Sequence, residues 1–161
     1  MDKQQEILYK LGFALKLAQT FEHSLAVLVS VLSYLDDANV LGLSIDYQIA
    51  AMGLDKKTMG SLVRAVISHT KPPTEFENVL RDGLEARNFV AHAFFREHGL
   101  ELHTKKGWNR ADDSLRTCCE RMKRAKEAVD GPLTHLLAQL GYDSAEAFEA
   151  FRAQVERERE V

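Results

Sequence analysis

The stretch ILYKLGFALKLAQTFEHSLAVLVSVLSYL, residues 7–35, decides the fold of this 161-residue chain. Its apolar residues recur at alternating spacings of four and three, the period at which side chains line one side of an α-helix. The set consists of Ile7, Leu11, Ala14, Ala18, Phe21, Leu25, Leu28, Leu32 and Leu35. A seam of this length predicts one long helix from about Gln4 to Leu35, packed along its length against other helices.

Three further helices follow from the same periodicity and from turn-forming residues between them. A second helix is predicted within residues 53–69, and a third from about Thr74 to Phe95. A fourth is predicted from about Asn109 to Gly141, with a kink or break at the Asp-Gly-Pro sequence of 130–132. The pattern therefore favours helices throughout most of the chain.

The connections and the C-terminal segment complete the predicted architecture. Residues 36–48 predict a loop, and residues 96–109 are compatible with either a short β-hairpin or an irregular loop. A last helix is predicted over about 144–159, with a charged end that frays in water. We expect a single all-α domain over residues 1–161, built as a bundle of four or five helices.

The composition excludes several classes of protein. With 45% hydrophobic and 28% charged residues, the chain resembles an ordinary globular domain, and its net charge of −3 gives no general attraction to nucleic acid or anionic membranes. No apolar run is expected to reach membrane-spanning length, and the N-terminus lacks a signal-peptide core, so a cytoplasmic protein without a membrane partner is predicted. The adjacent Cys118 and Cys119 do not suggest a disulfide, and no Cys/His spacing suggests a metal or cofactor.

The third helix carries the sequence LEARNFVAHAFF, residues 84–95, in which a charge interrupts an apolar pattern. On a regular α-helix Arg87 projects into the middle of the apolar face, whereas His92 lies about 140° away on the polar side. A buried arginine needs a partner, and Glu22 is the lone charge in the row Leu8, Leu15, Glu22 and Val29 of the first helix. One interpretation is therefore a buried Glu22–Arg87 pair that fixes helix register.

The sequence RNFVAH, residues 87–92, also resembles the Arg-polar-x3-His motif of the HEPN superfamily. The matching positions are Arg87, Asn88 and His92, and the order of predicted helices is similar as well. The resemblance implies a small helical bundle that dimerises, so that motifs from two subunits build one site. Many HEPN proteins are metal-independent ribonucleases that act as toxins or defence effectors, and others are non-catalytic scaffolding or nucleotidyltransferase-associated proteins.

The resemblance implies a specific division of roles. His92 would transfer a proton, Arg87 would hold the phosphate and stabilise the charge of the transition state, and Asn88 would orient either group, with Glu22 in support. The nucleophile would be the 2′-hydroxyl of RNA. Because Arg87 and His92 point in different directions on one regular helix, a homodimer would bring the missing side chain to the site from the partner subunit. The alternative is a non-catalytic interaction, regulatory or immunity protein of the same fold, and an antitoxin is an expected partner of a toxin.

A basic segment near residue 105 is the candidate RNA-binding surface. Lys105, Lys106, Trp108 and Arg110 would form a basic loop with an aromatic ring that stacks on a base. Acidic and basic residues alternate on the helix that follows, which is also typical of a solvated helix face.

Overall fold

The computed structural model describes residues 2–36, 49 and 52–141, and within these ranges the protein is helical without strands. The helices are α1 (Lys3–Asp36), α2 (Met59–Thr70), α3 (Thr74–Asn88), α4 (Phe94–His98) and α5 (Lys105–Gln139). The all-α prediction is confirmed. Asp36, the first residue of the loop predicted over 36–48, is the last residue of α1, and the rest of that loop and the predicted last helix at 144–159 lie outside the described residues.

Helix α1 packs as its seam predicts. The first seven of the nine seam residues, from Ile7 to Leu28, are no more than 5% exposed, whereas Leu35 at the end is 50% exposed. Along its length α1 contacts α5, and its C-terminal half also contacts α2. The long N-terminal helix thus forms the spine of the bundle.

Helix α2 begins later than the sequence suggests. Its N-cap is Thr58, whose hydroxyl accepts a hydrogen bond from the Ser61 amide and satisfies one of the free N–H groups of the first turn. Leu62, Val63 and Val66 of α2 are buried in the core.

The third predicted helix is interrupted by a different kind of turn. Between α3 and α4 the chain continues without a gap through a π-helical segment, Phe89–Ala93, which we call the π turn. The Phe94 amide donates to the carbonyl of Phe89, five residues back, instead of the four of an α-helix. Propensity and periodicity do not distinguish such a turn from α-helix, so the sequence did not predict it.

The segment 96–109 is neither a β-hairpin nor a long loop. Helix α4 runs to His98, a short 3₁₀ turn spans Glu101–His103, and α5 begins at Lys105 with Thr104 as its N-cap. The hairpin alternative is wrong, because the hydroxyl of Thr104 accepts from the Gly107 amide and starts a helix four residues earlier than predicted. Helix α5 also continues through Pro132 without the predicted break.

Two clusters of buried side chains form the core. One surrounds Phe21 between α1, α2, α3 and the C-terminal half of α5, and the other surrounds Phe94 between the N-terminal halves of α1 and α5. Gly83 allows α3 to approach α1 and α5 closely, because a Cβ there would lie no more than 2.9 Å from the ring of Phe21 and from the Cβ of Ala125.

The apolar character of α1 also bears on the membrane expectation. Residues Lys3–Ser33 are long and apolar enough to cross a membrane by length and composition, contrary to the prediction that no run reaches this length. Half of the most apolar window is buried against other parts of the same chain, as in the core helix of a helical bundle.

Candidate functional site

The π turn brings together two side chains that a regular helix separates. In an α-helix, hydrogen bonds link residues four apart, and residues five apart point in different directions. In the π turn the link spans five residues, so side chains five apart stack on one side. Nη1 of Arg87 lies 3.4 Å from Nε2 of His92. The predicted separation of these two residues is therefore wrong, because it assumed an uninterrupted α-helix.

Arg87 is the centre of the arrangement. Its Nη1 donates to Oδ1 of Asn88 at 3.3 Å, and its Nη2 donates to Oε2 of Glu22 at 3.3 Å. The guanidinium thus connects three polar side chains from two helices. All four residues named from the sequence for this site, Glu22, Arg87, Asn88 and His92, are in one cluster.

The cluster lies at the surface and not within the core. The side chains of Arg87 and Glu22 are 23% and 30% exposed, and Asn88 and His92 are exposed. The centre of the buried face of α3 is occupied by Gly83 and Ala86, which places Arg87 at the edge of that face. The Glu22–Arg87 pair is confirmed, but its predicted full burial is wrong, since the helix is rotated relative to the projection.

Nε2 of His92 is the acceptor in its contact with Arg87, because a guanidinium has only N–H donors. An imidazole nitrogen whose lone pair is released from such a contact is able to take a proton from a bound hydroxyl group. The same guanidinium offers N–H groups to an anion.

The predicted RNA-binding residues do not form a basic loop. They lie on the first turns of α5, where Nε1 of Trp108 donates to the carbonyl of Leu102 and Nη2 of Arg110 lies 2.5 Å from Oε1 of Glu101. Trp108 is partly buried against the Phe94 cluster. Lys105 and Lys106 are exposed. Within the described part of the chain, no hydrogen bond or ion pair connects these four residues to Arg87 or His92.

One polar cluster near the π turn was not identified from the sequence. His98 is 8% exposed, its Nε2 lies 3.0 Å from Oγ of Ser114, and its Nδ1 lies 3.6 Å from Oε2 of Glu101. Its ring packs against Phe89 and Phe94, with centroid distances of 6.0 and 5.3 Å. The six histidines have no spacing that distinguishes this one, because its partners come from another helix.

A carboxylate outside the site shows a strong electrostatic effect. Hydrogen bonds from Lys3 and Lys10 lower the pKa of Glu6 to about 2, because both ammonium groups favour the ionised carboxylate. Burial raises the pKa of the Cys118 and Cys119 thiols. A raised thiol pKa disfavours the nucleophilic thiolate, so neither cysteine has the environment of an activated nucleophile.

The chain matches no family model, no curated protein and no solved structure with which it was compared. The candidate function therefore depends on the geometry of the site and on the resemblance of its motif.

Proposed function

We propose that this protein is a metal-independent endoribonuclease of the HEPN type, acting as a toxin or defence effector. The observation that carries the proposal is the contact between Arg87 and His92 across the π turn. An imidazole and a guanidinium side by side at an exposed surface would supply a proton acceptor and a phosphate-binding fork. Without this contact, the match to the motif would not by itself support a catalytic site.

The proposed reaction uses a nucleophile that RNA itself provides. The ribose 2′-hydroxyl replaces Arg87 at Nε2 of His92 and gives that nitrogen its proton, while the 2′-oxygen forms a bond to the adjacent phosphorus. The bond from phosphorus to the 5′-oxygen breaks, and that oxygen takes up a proton that the second copy of His92 in the dimer donates. The products are a 2′,3′-cyclic phosphate and a 5′-hydroxyl. Arg87 stabilises the charge on the phosphorane oxygens, and Asn88 and Glu22 hold its guanidinium in place.

Exposed apolar residues beside the site support a homodimer. Leu8 and Leu15 lie fourteen and seven residues before Glu22, on the same row of α1, and are 44% and 38% exposed. Phe95, three residues after His92, is 58% exposed. Burying such side chains against a second subunit is favourable. A dimer through this face would place two copies of His92 near each other, one to accept and one to donate a proton.

The direct test is RNA cleavage without metal. In EDTA, the purified protein should cut single-stranded RNA and leave 2′,3′-cyclic phosphate ends, detected by mass spectrometry. His92→Ala should abolish the cutting. His103→Ala is the matched control, because His103 is exposed but lies outside the cluster. Cutting that survives His92→Ala, or that requires added metal, would refute the proposal.

A non-catalytic interaction or immunity protein is the second candidate. The observation that favours it is the Glu22–Arg87 pair, since a carboxylate that occupies the guanidinium competes with phosphate. In that case Arg87 has a structural role and the apolar row binds a protein. The two candidates differ in a growth assay: expression of an active ribonuclease toxin should arrest growth unless an antitoxin is present, and the His92→Ala protein should not.

A further inference from the structure

A pocket of about 230 Å³ lies beside the Glu22–Arg87 pair. Its lining comes from one face of α1, from the 3₁₀ turn Leu54–Lys56 and the residues around it, and from α2. Glu22 belongs both to this pocket and to the site, because one of its oxygens binds Arg87. The pocket and the candidate catalytic groups are therefore separated by a single carboxylate.

The lining has an apolar floor and a polar rim. Ala26, Leu54 and Leu62 are at most 5% exposed, and Ile49 is 8% exposed. The rim consists of polar side chains, namely Gln19, Glu22, His23 and Lys57. An apolar floor with a few polar groups at its edge is the lining that binds a flat heteroaromatic ring and its hydrogen-bonding edge.

The size of the pocket limits what it can hold. Pockets for drug-sized ligands measure about 300–1,000 Å³. This pocket is smaller, so it accommodates a base but not the ribose and phosphate that are attached to it. The carboxylate of Glu22 also repels a phosphate, while Arg87 beyond it attracts one. A nucleotide would consequently place its base in the pocket and its 3′-phosphate towards Arg87.

The second carboxylate oxygen of Glu22, Oε1, indicates which bases fit. Oε2 receives the hydrogen bond of Arg87, and Oε1 receives none from residues 2–36, 49 and 52–141. An ionised carboxylate only accepts hydrogen bonds, so it favours a base edge that carries N–H donors. Guanine presents an imino and an amino donor side by side, whereas uracil presents one imino group between two carbonyl acceptors.

We propose that this pocket binds the base of the nucleotide whose 2′-hydroxyl attacks, and that it prefers guanine to uracil. The pocket's role in cleavage rests on the proposed ribonuclease function, but base binding does not. Lys57 lies at the rim, where its ammonium group interacts with the ribose-phosphate of the bound nucleotide.

Binding is tested with guanosine 3′-monophosphate and uridine 3′-monophosphate, by calorimetry and by NMR shifts of labelled protein. Guanosine 3′-monophosphate should bind about tenfold more tightly, the factor that one additional hydrogen bond to a charged group provides. The shifts should be concentrated at Gln19, Ala26 and Lys57. Equal affinity for the two nucleotides would overturn the guanine preference, and shifts elsewhere would overturn the pocket.

Two neighbouring lysines offer a matched pair of variants. Lys57→Glu should weaken binding of guanosine 3′-monophosphate about tenfold, because it replaces a favourable charge at the rim by a repulsive one. Lys56→Glu makes the same change of net charge one residue away, at an exposed side chain that does not line the pocket, and should have little effect. Equal losses for both variants would show general electrostatic attraction and overturn the site.

A variant that fills the pocket tests its volume directly. Ala26→Phe should block nucleotide binding while thermal unfolding and circular dichroism verify the fold. If that variant does not fold, the comparison of the two lysine variants still decides the proposal. Undiminished binding by a folded Ala26→Phe protein would refute it.

Cleavage assays separate this proposal from the ribonuclease proposal. The dinucleotide GpA should be cut about tenfold faster than UpA, by the same free-energy difference as in binding. Binding of guanosine 3′-monophosphate in the pocket without cleavage of RNA would support the pocket proposal and refute the ribonuclease proposal. Cleavage of RNA without binding of the nucleotide in the pocket would support the ribonuclease proposal and refute the pocket proposal.

Discussion

Two histidines, one within the π turn and one at the end of α4, have opposite environments. His92 is exposed and contacts the guanidinium of Arg87, whereas His98 is buried between the rings of Phe89 and Phe94 and contacts Ser114 on α5. Both belong to the same run of helix and are six residues apart. The motif resemblance distinguishes His92, but nothing in the sequence around His98 indicates that its side chain is buried.

The comparison indicates that burial, and not residue type, distinguishes a histidine that is accessible to a substrate from one that supports the fold. An exposed histidine contributes little to folding but is accessible to a substrate. A buried histidine with aromatic neighbours fills volume and satisfies a hydroxyl group, so its loss leaves a cavity. We therefore expect one histidine to affect cleavage and the other to affect stability.

The largest expected effect is on activity at His92. Replacement by alanine should reduce RNA cleavage about 100- to 10,000-fold, the usual contribution of a general base. The free energy of unfolding, measured in urea, should change by less than about 0.5 kcal/mol because the side chain is exposed. A large loss of stability in this variant would remove the distinction between the two histidines.

The next effect is on stability at His98. His98→Ala should lower the free energy of unfolding by about 2–4 kcal/mol, since it creates a cavity and leaves Ser114 without its partner. The rate of RNA cleavage per folded molecule should fall less than tenfold, because His98 affects the site only through its packing against Phe89 in the π turn. Unchanged stability would contradict the structural role and would leave the His98–Ser114 contact open to a chemical one.

A smaller effect is expected from the pair that holds Arg87. If this pair were fully buried, removing either partner would lower the free energy of unfolding by about 3–5 kcal/mol. At the observed exposures of 23% and 30%, the coupling between positions 22 and 87 should be about 1 kcal/mol. A double-mutant cycle with Glu22→Gln and Arg87→Ala measures it, and a value near zero would show that Glu22 does not position the guanidinium.

The smallest effect concerns Glu6, far from both histidines in sequence. Its folded-state pKa of about 2 lies below the ordinary value of 4.5, so its ion pairs stabilise the fold above pH 4.5. This contribution is lost as the pH falls through 4.5 towards 2. Glu6→Gln should therefore flatten the stability profile in that window and leave cleavage at neutral pH unchanged. A steeper profile in the variant would mean that the pairing is absent in solution.

The sequence predicted the parts of the fold that depend on local periodicity. The seam of α1 is buried as expected from Ile7 to Leu28, because apolar residues at helical spacing form one continuous face that packs away from water. The start of α5 was missed, since the Thr104 cap is a short-range signal within a segment whose alternating residues also suggested strands.

The candidate residues followed from the sequence, but their arrangement did not. Motif resemblance identified Arg87, Asn88 and His92, and the lone charge on an apolar row identified Glu22. Helical projection then separated Arg87 from His92 and placed Arg87 within the core. The pocket beside Glu22 was also missed, because its lining comes from segments far apart in the chain.

The sequence by itself thus determined the helices, the apolar faces and the identity of the polar residues, since each depends on neighbours within a few positions. Only the tertiary structure decided the π turn, the exposure of Arg87 and the burial of His98. A shift from four-residue to five-residue hydrogen bonding depends on how the flanking helices pack, with Gly83 and Ala86 against α1 and α5 and with Phe94 in the core. Packing between distant segments therefore determined which histidine faces solvent.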